Sequence, residues 1–251
     1  MDACGDDADL AARLAAEAGA MLLRLRSQEG ASFQTGRKAD RLADALICRE
    51  LRRARPADGL LSEEAPDDLN RLNRRRVWIV DPLDGTREYA GGRQDWAVHV
   101  ALCVDGTAAV GAVAVPALGR LFRSDRPQSP PLRTDRLRIA VSRSRPPAFA
   151  GPLAEQLGAE LLPLGSAGAK AMAVVSGQVD AYVHAGGQNE WDSCAPVAVA
   201  LGHGLHATRL DGSPLRYNQP DAALPDLVIA RKEVGREIVA LLGDPSISAR
   251  K

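Results

Sequence analysis

Two carboxylates, a glycine and a threonine stand together in Asp81-Pro82-Leu83-Asp84-Gly85-Thr86, directly after the apolar run Val77-Trp78-Ile79-Val80. The run reads as a buried strand, so it delivers acidic groups and small turn residues to one spot at its end. That combination suits a hard cation with a phosphate beside it. Mg²⁺ takes carboxylate and carbonyl oxygens in near-octahedral geometry and shares its shell with substrate phosphates, while turn amides and the first amides of helices donate to anions. A plain surface turn explains Asp-Gly-Thr poorly, because Asp81 interrupts an apolar run and buried charges are rare unless paired. Further acidic residues lie at the edges of apolar elements, namely Asp40, Glu63 and Asp192. Several Mg²⁺ ions around one phosphate would need such a set.

The elements that must position these groups follow from hydrophobic spacing. Residues 7–28 read as an amphipathic helix through Leu10, Leu14, Ala18, Leu22 and Leu25, and residues 40–55 as a second one, ended by Pro56. Gly59-Leu60-Leu61-Ser62 is short and apolar and leads into Glu63-Glu64. Residues 67–76 are polar and basic, an exposed loop or short helix, with residues 71–76 as a solvated face. Strands over 96–104 and 107–115 flank an Asp105-Gly106 hairpin turn. His99 falls inside the first of them, where a structural or edge role outweighs a catalytic one. Residues 124–136 are rich in Pro, Arg and Asp and mark the boundary between an N-terminal part, 1–134, and a C-terminal part, 135–251. The second part alternates strands at 137–141, 161–164, 179–184, 205–209 and 227–230 with helices at 149–157, 166–176, 192–201 and 233–242. Such alternation implies layered α/β packing.

Composition narrows the function. With 251 residues the chain can bury a full core, and with 32 basic against 32 acidic residues its net charge is zero. Nothing supports nucleic-acid binding or a polybasic membrane anchor, and no apolar run approaches a membrane span. An anionic substrate must therefore be neutralised locally. The N-terminus is acidic and lacks a signal-peptide pattern, and Cys4, Cys48, Cys103 and Cys194 are scattered without CxxC spacing. Reduced thiols in a cytoplasmic protein follow, with Cys48 and Cys103 as small core residues.

The acidic stations and their neighbours resemble one family in order and spacing over nearly the whole chain. Asp81-Pro-Leu-Asp-Gly-Thr86 resembles the signature of the Mg²⁺-dependent, lithium-sensitive phosphomonoesterases of the inositol monophosphatase superfamily. Leu61-Ser-Glu-Glu64 resembles its upstream acidic motif, Glu190-Trp-Asp-Ser193 its second signature, and Gly165-Ser-Ala-Gly-Ala-Lys170 the loop and helix between them. Within the superfamily these motifs resemble the CysQ type, the 3′(2′),5′-bisphosphate nucleotidases, in an actinobacterial form. The resemblance implies an α/β (α+β) fold, an αβαβα layered sandwich of the sugar-phosphatase type. It implies two to three Mg²⁺ per site, with Glu63, Asp81 and the Leu83 carbonyl on the first, Asp81, Asp84 and Asp192 on the second, and Glu63 and Asp40 approaching a third. The Gly85 and Thr86 amides would hold the phosphate, and the Thr86 hydroxyl, polarised by Asp40, would orient the attacking water. Glu63, Leu83, Asp84, Gly85, Thr86, Ser166, Lys170, Glu190 and Asp192 would meet the substrate. The implied substrate is 3′-phosphoadenosine 5′-phosphate or its phosphosulfate, in sulfur metabolism, with inositol 1-phosphate or fructose 1,6-bisphosphate as the alternative. A homodimer is implied by resemblance alone.

One departure from the family pattern leaves two readings of Asp40. The family often has Pro-Val-Thr-x-x-Asp before the helix bearing the upstream Asp, and here the segment reads Gly36-Arg-Lys-Ala-Asp40. Asp40 either joins the site or caps the second helix, since Asp is a good N-cap. Trp78 and Trp96 read as core, and Trp191 as packing behind the site. Gly202-His-Gly-Leu-His-Ala207 imitates a dinucleotide fingerprint but follows a helix and precedes a strand, the reverse of what that turn needs, so Gly202 and Gly204 read as helix termination. Arg216-Tyr217-Asn218 either contacts a nucleotide or forms a surface loop. A haloacid-dehalogenase phosphatase also uses Asp-Gly-Thr, but Pro82 stands where its nucleophilic Asp belongs. A sensor that only binds a phosphonucleotide is the rival from outside enzymes.

Overall fold

The computed structural model describes residues 3–67, 69–128 and 136–244, so the expected boundary between residues 134 and 135 lies outside them. Its first sheet runs in the order β1 (Gly59–Ser62), β2 (Arg76–Asp84), β3 (Ala97–Val104), β4 (Thr107–Val115) and β5 (Arg120–Arg123). Strand β1 is parallel to β2 and the other pairs are antiparallel. The second sheet runs β7 (Glu160–Leu164), β6 (Arg138–Ser142), β8 (Ala181–Ala185), β10 (Asp226–Ala230) and β9 (His206–Thr208). Here β7, β6 and β8 are parallel and β10 runs against both β8 and β9.

Both faces of each sheet are covered. Helices α1 (Ala3–Glu29) and α2 (Phe33–Ala54) lay Leu14, Leu22, Ile47 and Leu51 against Trp78, Val80, Val98 and Val100 of the first sheet. Its other face, with Ile79 and Ala101, meets α5 (Ala167–Val175) and α6 (Glu190–Gly202), which touch Tyr182 and Ile229 of the second sheet through the same core. The far side of the second sheet packs Ile139, Val183 and Val228 on α4 (Ala150–Gln156) and α7 (Lys232–Leu242). The layer order is αβαβα, as expected. Strand β2 is buried without a break from Val77 to Asp84 because helices cover both of its faces, and it is apolar through Val80, as in other doubly covered strands. Helix α5 is apolar nearly all round because it is the middle layer. Each fully buried Leu or Ile here contributes about 1.5–3 kcal/mol.

Four sequence expectations change. Helix α2 begins at Phe33 rather than at residue 40, with Ser32 as its cap: the Ser32 hydroxyl accepts the Thr35 N–H at 3.0 Å. Asp40 therefore lies inside the helix and does not cap it. His99 is on a central strand, not an edge, and is fully buried. Arg71, expected on a solvated face, is 2 % exposed because Asp67, the Asn218 side chain and the Gln219 carbonyl take its guanidinium. The short elements β5 and α3 (Thr86–Ala90) were not expected, being only a turn or so long. Cys48, Cys103 and Cys194 are free and buried, and Trp78 and Trp96 are core.

Candidate active site

Asp81 and Asp84 are three residues apart on β2, a spacing that in a regular strand puts side chains on opposite faces. A bulge corrects this. Asp81 pairs with His99 and Asp84 with Ala97, so β2 spends one more residue than β3 between the two pairs. Both carboxylates then share the face that carries His99 and Ala97, toward α5 and α6. Asp192 comes to the same place from the first turn of α6, where a capping box holds it: Asn189 N–H donates to Asp192 Oδ2 at 2.7 Å. Carboxylate oxygens of Asp81, Asp84 and Asp192 all lie within 4.8 Å of one another.

These acids crowd each other. Burial first, then the charges of Glu63 and Asp84, push Asp81 well above the usual carboxylate range. Asp192 is pushed up to about 6 by burial and by Asp84. Glu63 has much of its side chain open to solvent, yet its carboxyl faces Asp192, Asp81 and Asp84 in the cleft, and desolvation there raises it to about 7. Asp84 goes the other way. Burial alone would raise it, but His99, Ser166 and Lys170 reverse that and hold it at about 2. Its Oδ2 accepts Ser166 Oγ–H at 2.5 Å and Gly168 N–H at 2.6 Å, and its Oδ1 accepts Ala167 N–H at 3.1 Å. His99 Nε2 lies 3.3 Å from Oδ2 but off the line of a good hydrogen bond, so that contact is a charge contact. Oδ1 serves one amide only and keeps a lone pair for a cation.

Thr86 and Asp40 meet across elements. Thr86 Oγ1 is 3.2 Å from Asp40 Oδ2 and 3.2 Å from the Leu83 carbonyl, and its one proton serves one of them at a time. Asp40 is 4 % exposed, and burial with the charges of Glu63 and Glu64 raises it to about 8. Its Oδ1 has no partner among the described residues. Gly85 takes φ +87°, a conformation that suits glycine, and a Cβ there would lie 2.9 Å from the Ser166 side chain. The cleft of about 300 Å³ is lined by Glu63, Asp84, Gly85, Thr86, Ser166 and Asp192 among others.

Two expected substrate contacts are placed differently. Lys170 lines the cleft but is buried, with Nζ donating to the Gly165 carbonyl and, at 2.8 Å, to the Ser166 carbonyl, above the Tyr182 ring. Burial lowers it to about 8 despite the nearby acids. Its ammonium holds the turn before α5 rather than standing free. Glu190 is 1 % exposed, and its oxygens accept the Asn218 and Gln219 N–H groups at 2.6 and 2.7 Å. It fastens the loop behind α6 and is not part of the cleft lining, and neither are Arg216, Tyr217 and Asn218. Sequence reading missed the contact of His99 with Asp84 and with the Trp191 carbonyl, 3.0 Å from Nδ1. The signal was a lone imidazole in an apolar strand, legible only with the register in hand.

An all-oxygen donor set, with carboxyls that resist losing their protons so close together, fits a hard divalent cation. Among the described residues no helix is long and apolar enough to cross a membrane. The model of the inositol monophosphatase family matches residues 7–241. The chain is 50% identical over 252 residues to a 3′-phosphoadenosine 5′-phosphate phosphatase of Mycobacterium leprae, covering 94% of this chain and 93% of that one. It is 30% identical over 204 residues to the 3′(2′),5′-bisphosphate nucleotidase CysQ of Escherichia coli, covering 74% and 80%. The crystal structure of CysQ from Bacteroides thetaiotaomicron superposes with a TM-score of 0.78 at 25% identity, covering 90% and 97%. A bulged acidic strand end, a capped aspartate on α6 and a match along most of the chain agree: the protein belongs to the inositol monophosphatase family and is a phosphatase.

Proposed function

We propose that the protein removes the 3′-phosphate of 3′-phosphoadenosine 5′-phosphate, or of its phosphosulfate, with Mg²⁺ and water. The observation that carries the reading is the convergence of Asp81, Asp84 and Asp192 on one cleft face. The identity with the mycobacterial and enterobacterial relatives supports the choice of substrate. Asp81, Asp84, Asp192 and Glu63, with the Leu83 carbonyl, would hold Mg²⁺. When bound, Mg²⁺ supplies charge neutralisation at the phosphoryl oxygens and a lower pKa for water.

The chain's own groups do the rest. The amides of Gly85 and Thr86, at the start of α3, donate to phosphate oxygens. Thr86 Oγ1 accepts a hydrogen bond from the attacking water while its own proton points to Asp40 Oδ2. Ser166, Ala167 and Gly168 keep Asp84 in one orientation, so the site needs little rearrangement as charge develops. Phosphoryl transfer asks little beyond such placement and neutralisation. The path has no phosphoenzyme, since Pro82 stands where a nucleophilic Asp would be required.

The test is phosphate release with Mg²⁺ from 3′-phosphoadenosine 5′-phosphate, inositol 1-phosphate and fructose 1,6-bisphosphate. The reading expects kcat/KM for the nucleotide to exceed the other two by at least about tenfold. Equal or better rates on the sugar phosphates overturn the substrate choice and leave the phosphatase standing.

A further inference from the structure

Glu63 is a cation ligand in the reading above, yet the strand that delivers it has little support within its sheet. Strand β1 has four residues and lies at the sheet's end, with β2 as its one neighbour. Its ladder stops at Ser62, opposite Val80, and one further bond follows, from Glu63 N–H to the Val80 carbonyl at 3.2 Å. Side chains alternate along a strand. Leu60 packs with the core beneath α1 and α2, and Leu61 with the core beneath α5 and α6. Ser62 therefore faces α2, and Glu63 faces the acids on the other side. Whatever fixes Ser62 on the first face sets the direction of Glu63 on the second.

Asp44 is the group that holds Ser62. It stands one turn after Asp40 on α2 and is half-buried. Its Oδ1 accepts the Ser62 Oγ–H at 2.5 Å and the Cys48 Sγ–H at 3.1 Å. Both donors are buried, Ser62 at 3 % and Cys48 at 2 % exposure. A hydroxyl on a carboxylate at that length is a charge-assisted bond, about twice as strong as a neutral one. Helix α2 is a firm base for it, since Ala43, Ile47 and Leu51 are sunk in the core. The charge itself is costly where it stands, because Asp44 adds to the repulsion that already raises Asp40. No Lys or Arg pairs with Asp44 among the described residues to offset that cost, so the carboxylate is spent on its two donors. Asp44 is also absent from the cleft lining.

We propose that Asp44 is a positioning residue for Glu63, holding the Ser62 hydroxyl so that the end of β1 aims the Glu63 carboxyl at Asp81 and Asp192. Outer partners of this kind set the orientation of a metal ligand, and their loss weakens the metal without removing any ligand. The inference rests on the reading that Glu63 helps to hold Mg²⁺, and it adds a residue that meets neither cation nor substrate.

The test titrates metal-free protein with Mn²⁺, whose free ion gives an electron paramagnetic resonance signal that binding removes. Asp44→Ala and Ser62→Ala are each expected to raise the Mn²⁺ Kd by about 10-fold, as for a lost outer partner of a metal ligand. Asp44→Asn keeps a carboxamide oxygen for Ser62 and should stay within about twofold of the wild type. The double alanine variant should match the larger single loss to about twofold, since both changes break one link. The Mg²⁺ concentration for half-maximal phosphate release should move by the same factor, with KM for 3′-phosphoadenosine 5′-phosphate at saturating Mg²⁺ unchanged. A lower Tm with wild-type Mn²⁺ affinity in both alanine variants reduces Asp44 to a packing role and overturns the proposal. Equal losses in Asp44→Asn and Asp44→Ala overturn it too, because charge and not the hydrogen bond is then the cause. Losses that multiply in the double variant break the link through Ser62. If Asp44→Ala does not fold, Ser62→Ala, which removes one oxygen, decides alone. A wild type that takes no Mn²⁺, or Glu63→Gln at wild-type affinity, defeats the cation reading of Glu63 instead.

Discussion

Removing divalent cations and raising the pH should weaken the fold, and Asp40 sets the scale. Its folded-state pKa is about 8 against an ordinary 3.8, because it is buried beside Glu63 and Glu64. A carboxyl whose pKa is raised on folding binds more protons in the native state than in the unfolded chain. Its contribution is fully present below the unfolded value and is lost as pH rises through the folded one. For Asp40 that window runs from about 4 to about 8, and Glu63, at about 7, and Asp192, at about 6, lose theirs earlier within it. One proton held across three pH units, from about 5 to 8, is worth about 4 kcal/mol. Water entry and shared repulsion among the acids reduce this, and their effects do not add. The expected loss is therefore at least about 2 kcal/mol, a fall in Tm of at least about 4 °C for a chain of this size. Thermal scans in chelator at stepped pH measure it. Saturating Mg²⁺ should flatten the slope, because the cation replaces the protons, and Asp40→Asn should flatten it without Mg²⁺. A Tm that does not fall between pH 5 and 8 in chelator, or falls as steeply with Mg²⁺, refutes the reasoning.

Three substitutions probe the site from different sides. Asp84→Asn should cut phosphate release by at least about 100-fold through loss of cation binding, with the far-UV circular dichroism unchanged; activity near wild type contradicts the proposed site. Lys170→Met removes donors from the Gly165 and Ser166 carbonyls and should lower Tm by about 2–6 °C while reducing kcat more than it raises KM, since the turn that aims Ser166 at Asp84 loosens. A pure KM effect would return Lys170 to a substrate contact. Glu190→Gln puts an amide donor against the Asn218 or Gln219 N–H and should destabilise by about 1–3 kcal/mol in urea melts, with KM unchanged; a raised KM at wild-type stability would place Glu190 on the substrate.

The acidic strand end was legible because an apolar period broken by charge is unusual, and Asp81 to Thr86 carries that break in six successive residues. Layered α/β packing was legible because strand and helix periods alternate through the second half, while the αβαβα order came from the family resemblance. The start of α2 was not, because residues 34–38 are mostly polar and its signal is a single hydroxyl on Ser32. Side-chain direction was also hidden. The resemblance of their motifs to the family's places Lys170 and Glu190 near the site, but only the fold shows one turned onto its own loop carbonyls and the other onto the loop after Tyr217. The bulge that brings Asp81 and Asp84 to one face is a property of β2 paired with β3, not of β2 alone. The same pairing puts His99 beside Asp84, a contact between residues 15 positions apart that no local pattern encodes.

The central claim is that the carboxylates of Asp81, Asp84 and Asp192 bind a divalent cation on which phosphate removal depends. It is tested most directly by assaying chelator-stripped protein on 3′-phosphoadenosine 5′-phosphate and then restoring Mg²⁺. Phosphate release should be absent from the stripped protein, return in full with Mg²⁺, and stay absent in Asp81→Asn at the same Mg²⁺. Release that persists without any divalent cation, or that returns equally in Asp81→Asn, would contradict it.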